Sequence, residues 1–539
     1  MSRLDLTDIQ GNIHRPYGRF GFPHSRHFFF VVSESAAGRA FVQSIRPRVT
    51  TAEPWDHVET ADGAKGAKKP EITLNIGFSF RGLLALGVPT ETLRLLPEEF
   101  IEGMRARATI LGDVDGSDPK NWDPMWRDKT KFVHIWVSLN SGANADGSPA
   151  AIMAEWTEWL ERLAETSSGV DLVTGHGDDG KGKWQHSSAL MAPIGPDGAM
   201  VPLPKEHFGF VDGISDPAFR GEYANEATQA LAVRGGGKLE AGPLGDPLPW
   251  KPLATGEFIL GQADEAQQFP VATRPASFSR NGTFMVYRKL RQDVPAWDDY
   301  VAKIADEWMR VTGETDRETA SETVRAKMVG RWSSGLPLIV APTWADHNRV
   351  MAEHAEARAI SALGAKNPEE KKKLVAFRAL MTDFRFGGDP DGKVCPLGAH
   401  IRRAHPRDML DPELGPDKGS TVLTNRRRII RRGLPYEDSA SETGVIFMAL
   451  CTSIFRQFEF VQQQWMNYGL DFDAGNDTCP VIGNRQQSHK YVIPAGDANG
   501  STFVAANLPE FVTTRGGDYF FIPGMNAIRM IAMGTVDPT

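Results

Sequence analysis

"HFFFVV", His27 to Val32, sets three phenylalanines against two valines, and "AAGRAFVQSI", Ala36 to Ile45, follows it almost at once. Aromatic and β-branched side chains suit a pleated strand, and the Ala-containing stretch behind them suits a helix. The same order returns in the second half of the chain, as "GTFMVYRKL" (Gly282 to Leu290) followed by "WDDYVAKIADEWMRV" (Trp297 to Val311). Working outward, "ITLNIGFSF" from Ile72 and "HIWVSLN" from His134 show the period of two expected of strands. Ile152, Trp156, Trp159 and Leu163 recur at helical spacing. "VIFMALCTSIFRQFEFVQQQW", from Val445, reads as a strand passing into a helix, and "DYFFIP", from Asp518, as a further strand. Strand–helix–strand order in both halves predicts an α+β duplication. Residues 1–220 form the first expected domain and 256–539 the second, which begins near "GEFILG". Gly, Pro and Ala enrich residues 221–255, which read as a linker. The charged, helix-prone stretch within about 345–385 is expected to be a solvated insertion on the second domain.

With 539 residues, 41% hydrophobic and 24% charged, the chain has the composition of an ordinary globular protein of two or more domains. Its 68 acidic and 60 basic residues leave a net charge of −8, which argues against a general nucleic-acid surface. Three cysteines cannot build a disulfide framework. The N-terminal stretch "MSRLDLTDIQGNIHRPYGRF" has no apolar core of an export signal, and no run of apolar residues is long enough to span a membrane, so a cytoplasmic location is expected.

Three stretches carry unusual chemistry. "CPLGAHIRRAHPRD" gathers Cys395, His400 and His405, any of which could hold a metal. A zinc site normally needs four ligands, and Cys451 and Cys479 are isolated, so zinc fits poorly. In "FGFVDGISDP", Asp212 follows Phe210 and Val211 and is bracketed by Gly209 and Gly213. Such a carboxylate can exchange protons, although Asp is also common as a turn former. "NRRRIIRRGLPYE" places five arginines in seven positions around Ile429 and Ile430. As a strand it would send Arg427, Ile429 and Arg431 to one face, and Arg428, Ile430 and Arg432 to the other. An arginine beside an inward isoleucine needs an anionic partner, from the protein or from a ligand.

Taken together, these stretches resemble the dye-decolorising peroxidases, a haem enzyme family. The motif Gly-x-x-Asp-Gly is here Gly209 to Gly213, "AHIR" supplies the proximal histidine segment and "RRIIRRGLPYE" the distal arginine segment. "DIQGNI", "GEFILGQADE", "GRWSSGLPL", "FRQFEFVQQQW" and "RGGDYFFIPG" match in the expected order along most of the chain. The resemblance implies two ferredoxin-like domains with antiparallel sheets and peripheral helices, as in the chlorite-dismutase-like folds, with haem b in the C-terminal one. It implies hydrogen peroxide as oxidant and dyes or phenolic and other aromatic molecules as one-electron reductants. A haem-handling or iron-releasing protein, or a haem sensor, on the same fold is the alternative.

By resemblance His400 is the axial ligand of the haem iron, and Glu510 is the acid expected to hold its other ring nitrogen. Arg407 is implied to pair with a haem propionate, which its forked guanidinium suits. Asp212 and Arg431 are implied as the catalytic acid–base and charge-stabilising groups, with Arg432 the rival to Arg431. Gly213 and Ile214 are placed against the cofactor, and Phe447 and Leu450 are expected to line the pocket above it. Tyr436 and Trp465 are candidate surface radical sites for substrates too bulky to enter. Oligomeric state is left open by the sequence.

Overall fold

The computed structural model describes residues 4–55, 57–59, 65–67, 69–177, 180–194, 198–223, 226–239, 250–270, 273–363, 367–410, 422–439, 441–495 and 500–536. In the first half, strand β1 (His24–Val32), helix α1 (Ser35–Ile45), β2 (Ile72–Phe78), β3 (Ile135–Ser141), α2 (Ile152–Thr166) and β4 (Val170–Leu172) follow in order, and β5 (Gln185–Ser188) adds to β1. The second half repeats the plan with β6 (Thr283–Gln292), α3 (Val294–Thr312), β7 (Ile430–Arg431), β8 (Pro435–Ser439) and β9 (Glu442–Cys451). Wide helical turns at Phe455–Glu459 and Val461–Met466 then lead towards β10 (Val512–Ile522).

These strands make one 10-stranded sheet in the order β7-β9-β6-β10-β2-β3-β1-β4, with β8 on β9 and β5 on β1. Counted within each half, both orders run fourth, first, third, second, which is the ferredoxin-like arrangement. The duplication that the local sequence shows only weakly is therefore explicit in the pairing. The halves join at one antiparallel pairing, Phe521 with Phe78.

Why "HFFFVV" is apolar throughout, rather than alternating, follows from its place. Strand β1 lies inside the sheet, and Phe28, Phe29 and Phe30 are all fully buried, so both faces are covered. Phe29 meets the Tyr287 ring of the second half at 5.2 Å. Close by, the buried Lys289 ammonium donates to Asp123 of the first half at 2.7 Å and to Asp438 of the second at 2.5 Å. A buried charge needs such partners, and here they tie the halves together.

Three expectations change. The stretch read as a linker holds a helix, Glu226–Gly236, and a small hairpin of Lys238–Leu239 with Trp250–Lys251, while residues 224, 225 and 240–249 lie outside the described residues. Gly and Pro at its edges obscured the helix-forming Ala-rich centre. The helical insertion exists, as α4 (Trp344–Glu353), α5 (Ala355–Leu363) and α6 (Pro368–Thr382). It is solvated on one face only. Val350, Met351, Ala357, Phe377 and Met381 pack in a core with Trp332, Phe386, Cys395 and Ala399, directly beside the His400 segment.

Leu450 is the third correction. Phe447 and Leu450 are an odd number of residues apart on β9, so the pleat sends them to opposite faces. Phe447 reaches the large cavity described below; Leu450 does not, and is fully buried in the main core. Leu450→Ala is therefore expected to cost about 2–5 kcal/mol of stability, measured by urea unfolding.

Candidate active site

A cavity of about 410 Å³ opens where first-half segments around Asp113 and Asp212 meet the second half, of a size that suits a cofactor. Asp212, Ile214, Arg331, His400, Arg407 and Arg431 all contribute to its wall. Asp212 arrives on a loop that follows the strands of the first half, stitched to the second half where the Val211 N–H donates to Ser333 O at 3.0 Å. Gly209 and Gly213 have φ of +91° and +66°, left-handed angles that L side chains rarely adopt, so the glycines are needed for the turn itself. Glu206 holds the loop from behind by accepting the N–H groups of Phe208 and Phe210 at 2.8 and 2.9 Å.

Arg431, on the edge strand β7, meets Asp212 in a two-pronged ion pair, one arm at 3.1 Å. Their side chains are 42% and 41% open, and the opening is to this internal cavity. The Asp212 charge, outweighing burial, raises the Arg431 guanidinium above even its usual range. Arg432 turns the other way, to Asp216 at 3.2 Å and to Ile13 O at 3.0 Å. Strand alternation thus separates the two arginines. Above the pair, Val445 and Phe447 from β9 and Phe458 from the following helical turns supply an apolar wall.

His400 opens the short helix α7 (His400–Ala404), whose Arg402 and Arg403 are fully buried and anchor it. Arg402 Nη1 donates to Asp389 at 3.0 Å, and Arg403 donates to the carbonyls of Trp465 and Asp477 at 3.1 and 2.8 Å. His400 Nδ1 lies 3.3 Å from Cys479 Sγ. Glu510, expected at that nitrogen, instead accepts the Ser117 hydroxyl at 3.2 Å. The loop bearing Cys479 supplies the histidine's partner, and Ser117 of the first half takes the acid. Burial raises the Glu510 carboxyl, while the Ser117 hydrogen bond and Arg485 pull the other way. Burial also acts to raise the Cys479 thiol, but the neighbouring His400, the Ile482 N–H and Arg403 bring it down to about 6. Cys395 is buried without such help and is pushed up to about 12, as befits a packed residue.

A group of cations closes one side. Arg331 gives its protons to the carbonyls of Gly335 and Met381 at 2.7 and 2.9 Å, and Arg428 to those of Gly237 and Gly236 at 3.1 Å each. Burial draws both down to about 10. Arg407 lies flat on the Phe384 ring at 3.8 Å, and its Nη1 is buried with no hydrogen-bond partner among the described residues. Burial and then its arginine neighbours push Arg407 well down, and His405 likewise, so His405 sits neutral within the group. Asp408 and Asp383 pull Arg407 back only in part. Asp408 accepts the N–H groups of Phe386 and Gly387, and Asp383 is held by Arg234 and Trp250. Buried guanidinium groups without enough carboxylates make a socket for an anion.

The first half, residues 8–170, matches the family model described as the DyP dimeric alpha+beta barrel domain, and residues 261–477 match the Dyp-type peroxidase C-terminal domain. The chain belongs to the dye-decolorising peroxidase family. A dye-decolorizing peroxidase of Mycena epipterygia is 28% identical over 560 residues, covering 98% of this peroxidase and 87% of the relative. The solved structure of an ancestral D-type dye decolorizing peroxidase superposes with a TM-score of 0.70 at 23% identity, covering 99% of this chain and 100% of that one. A deferrochelatase of Yersinia pestis is 28% identical over 130 residues, which is 23% of this chain and 25% of that one. The family implies a haem cofactor. The residues fit it: the cavity joins a histidine to an acid–arginine pair, and Arg407 Nη1 in its wall, with no partner among the described residues, could take an anionic group.

Not every site residue expected of the peroxidase is where it was expected. Tyr436 and Trp465 are each only 1% exposed, so neither is a surface group. Tyr436 donates its hydroxyl to Glu442 at 2.9 Å beneath Lys289, and Trp465 donates to Asp471 at 2.9 Å. Each polar edge finds its partner inside, which removes the need to face water. Three wall or supporting residues escaped the sequence reading: Arg331, Arg428 and Cys479. Arg331 stands in "GRWSSG", quoted for its family likeness without a role, and nothing local marks the isolated Cys479.

Arg407 carries a prediction with two signs. Arg407→Leu is expected to leave the haem-free protein as stable as wild type or more so, because an uncompensated buried cation is removed. The same change should weaken haem binding about tenfold or more, the loss of one charge-assisted contact. Urea unfolding of the haem-free protein and haem titration measure the two effects separately.

Proposed function

We propose that this chain is a haem b peroxidase, one haem per chain, that reduces hydrogen peroxide and oxidises dyes, phenols and other aromatic reductants. The observation that carries the reading is the Asp212–Arg431 pair facing the same cavity as His400. His400 would hold the haem through the ring nitrogen opposite its Cys479 contact, and Arg407 would hold a propionate. Ile214 and Phe447, in the cavity wall, and Gly213 beside them would contact the haem, and Asp212 with Arg431 would meet the peroxide. Glu510 is left as part of the wall. A haem held there would supply the two electrons that cleave the O–O bond and the capacity to oxidise reductants one electron at a time.

The chain's own residues handle protons and charge. Ionised Asp212 accepts the first proton of peroxide at a carboxylate oxygen and returns it to the departing oxygen, which leaves as water. Arg431 presents its guanidinium N–H groups to the negative charge that builds on that oxygen, and holds the Asp212 carboxylate in register. The apolar wall of Val445, Phe447 and Phe458 limits water around the pair. An iron-releasing role would require neither group to exchange protons with peroxide, and the deferrochelatase likeness extends over 23% of the chain.

The test is peroxide-dependent oxidation of a phenol and of a dye by the haem-loaded protein. Two equivalents of one-electron donor consumed per peroxide, with haem iron retained, is the expected result. Release of iron with the porphyrin ring intact and no donor oxidation would replace this reading with the iron-releasing one. Among the described residues, no helix is long and apolar enough to cross a membrane, and soluble preparations suit the assay.

A further inference from the structure

We propose that Cys479 is a positioning residue for His400: its sulfur accepts the Nδ1 proton and so directs Nε2, unprotonated, towards the cofactor. The inference rests on His400 being the haem ligand. A neutral imidazole carries one proton, and the partner of one nitrogen decides which nitrogen is free to coordinate iron. Sulfur could in principle donate to Nδ1 instead, which would leave the proton on Nε2 and block coordination. Its surroundings favour acceptance. The Ile482 N–H also points to this sulfur, and the guanidinium groups of Arg403 and Arg485 stand close by.

The sulfur cannot easily swing away. The Cys479 N–H donates to Met466 O at 2.7 Å, and Arg485 clamps the loop through Thr478 Oγ1, Cys479 O and Pro480 O at 2.9, 3.0 and 2.8 Å. Gly483 closes the turn, where any Cβ would stand 2.7 Å from both the nitrogen and the oxygen of Cys479. Cys479 is fully buried, so water does not compete for its sulfur. Glu510 does not take its place, because it accepts from Ser117. A sulfur acceptor is softer and sits farther away than a carboxylate oxygen, so it should draw the Nδ1 proton less strongly and make His400 a weaker electron donor to iron.

Three variants of the haem-loaded protein test this: Cys479→Ser, Cys479→Ala and Cys479→Asp. The readouts are the iron–histidine stretching frequency of the ferrous protein, the haem reduction potential and the rate of haem loss to a haem-scavenging protein. Cys479→Ala is expected to lower the stretching frequency, raise the potential and speed haem loss about 10–100-fold. Cys479→Asp should move frequency and potential the opposite way, and Cys479→Ser, nearly the same size and so the safest to fold, should keep haem better than Ala. Unchanged frequency and haem loss in the Ser and Ala variants would overturn the proposal. His400→Ala separates the two claims: if it keeps its haem, the ligand assignment is wrong, whereas if it loses haem while the Cys479 variants match wild type, only the role of Cys479 fails.

Discussion

His400→Ala is expected to fold and to lose its haem, with affinity down by at least ~100-fold, or ~2.7 kcal/mol. Of the two imidazoles in the cavity wall, His400 has its Nδ1 against Cys479 while His405 lies among three arginines, and α7 is anchored by the buried Arg402 and Arg403 next to His400. Removing the ring should therefore spare the fold. His405→Ala is the control, since His405 sits neutral among Arg331, Arg407 and Arg428 and has no assigned bond to iron. That variant should keep both haem and its main absorption band. Haem content per chain, read from absorbance after gel filtration with excess haem, decides the matter. Because haem binds the folded state only, the same loss should appear as a lower unfolding temperature for His400→Ala than for wild type when both are measured with haem present. Full occupancy and normal turnover in His400→Ala would reject the assignment.

Asp212→Asn and Arg431→Leu are expected to slow the peroxide reaction for different reasons, and pH tells them apart. Asp212 must be ionised to accept a proton, so the rate should fall as pH drops through its titration. An ordinary Asp titrates near pH ~4. The wild-type rate is thus expected to have an acid limb, with activity present above the Asp212 pKa and lost below it. Asn cannot titrate, so Asp212→Asn should be slow at every pH and lack that limb. Arg431 stays charged throughout the working range, so Arg431→Leu should lower the rate at every pH and keep the limb. A general base typically contributes about 10²–10⁴-fold, and at least one variant should lose that much. Peroxide consumption in the pre-steady state, measured over a pH series on haem-replete protein, supplies the test. Wild-type rates for both variants across the series would remove these residues from the mechanism.

Strand and helix periods in "HFFFVV", "GTFMVYRKL" and the stretches after them were legible because periodicity is a local property, set by which faces of an element are covered. The α+β duplication could be read from them, and the strand order could not, since pairing Phe521 with Phe78 joins residues far apart in the chain. Residue chemistry was legible in the same local sense: an acid between glycines, histidines beside a cysteine, arginines around two isoleucines. Alternation even separated Arg431 from Arg432 before any partner was known. What each group meets was settled only by tertiary structure. Asp212 and Arg431 are 219 residues apart in sequence, and His400 and Cys479 are 79 apart. No spacing rule relates such pairs, and so the sequence offers Glu510 rather than the isolated Cys479 as the partner of His400. Tyr436 and Trp465 were drawn as surface groups because a sequence carries hydrophobicity but not depth; the fold put both inside, with their polar edges bonded to Glu442 and Asp471. The proposed cofactor socket is the extreme case, because Arg331, Arg407 and Arg428 could serve as an anion site only once the fold brings three buried cations together and engages the nearby carboxylates elsewhere.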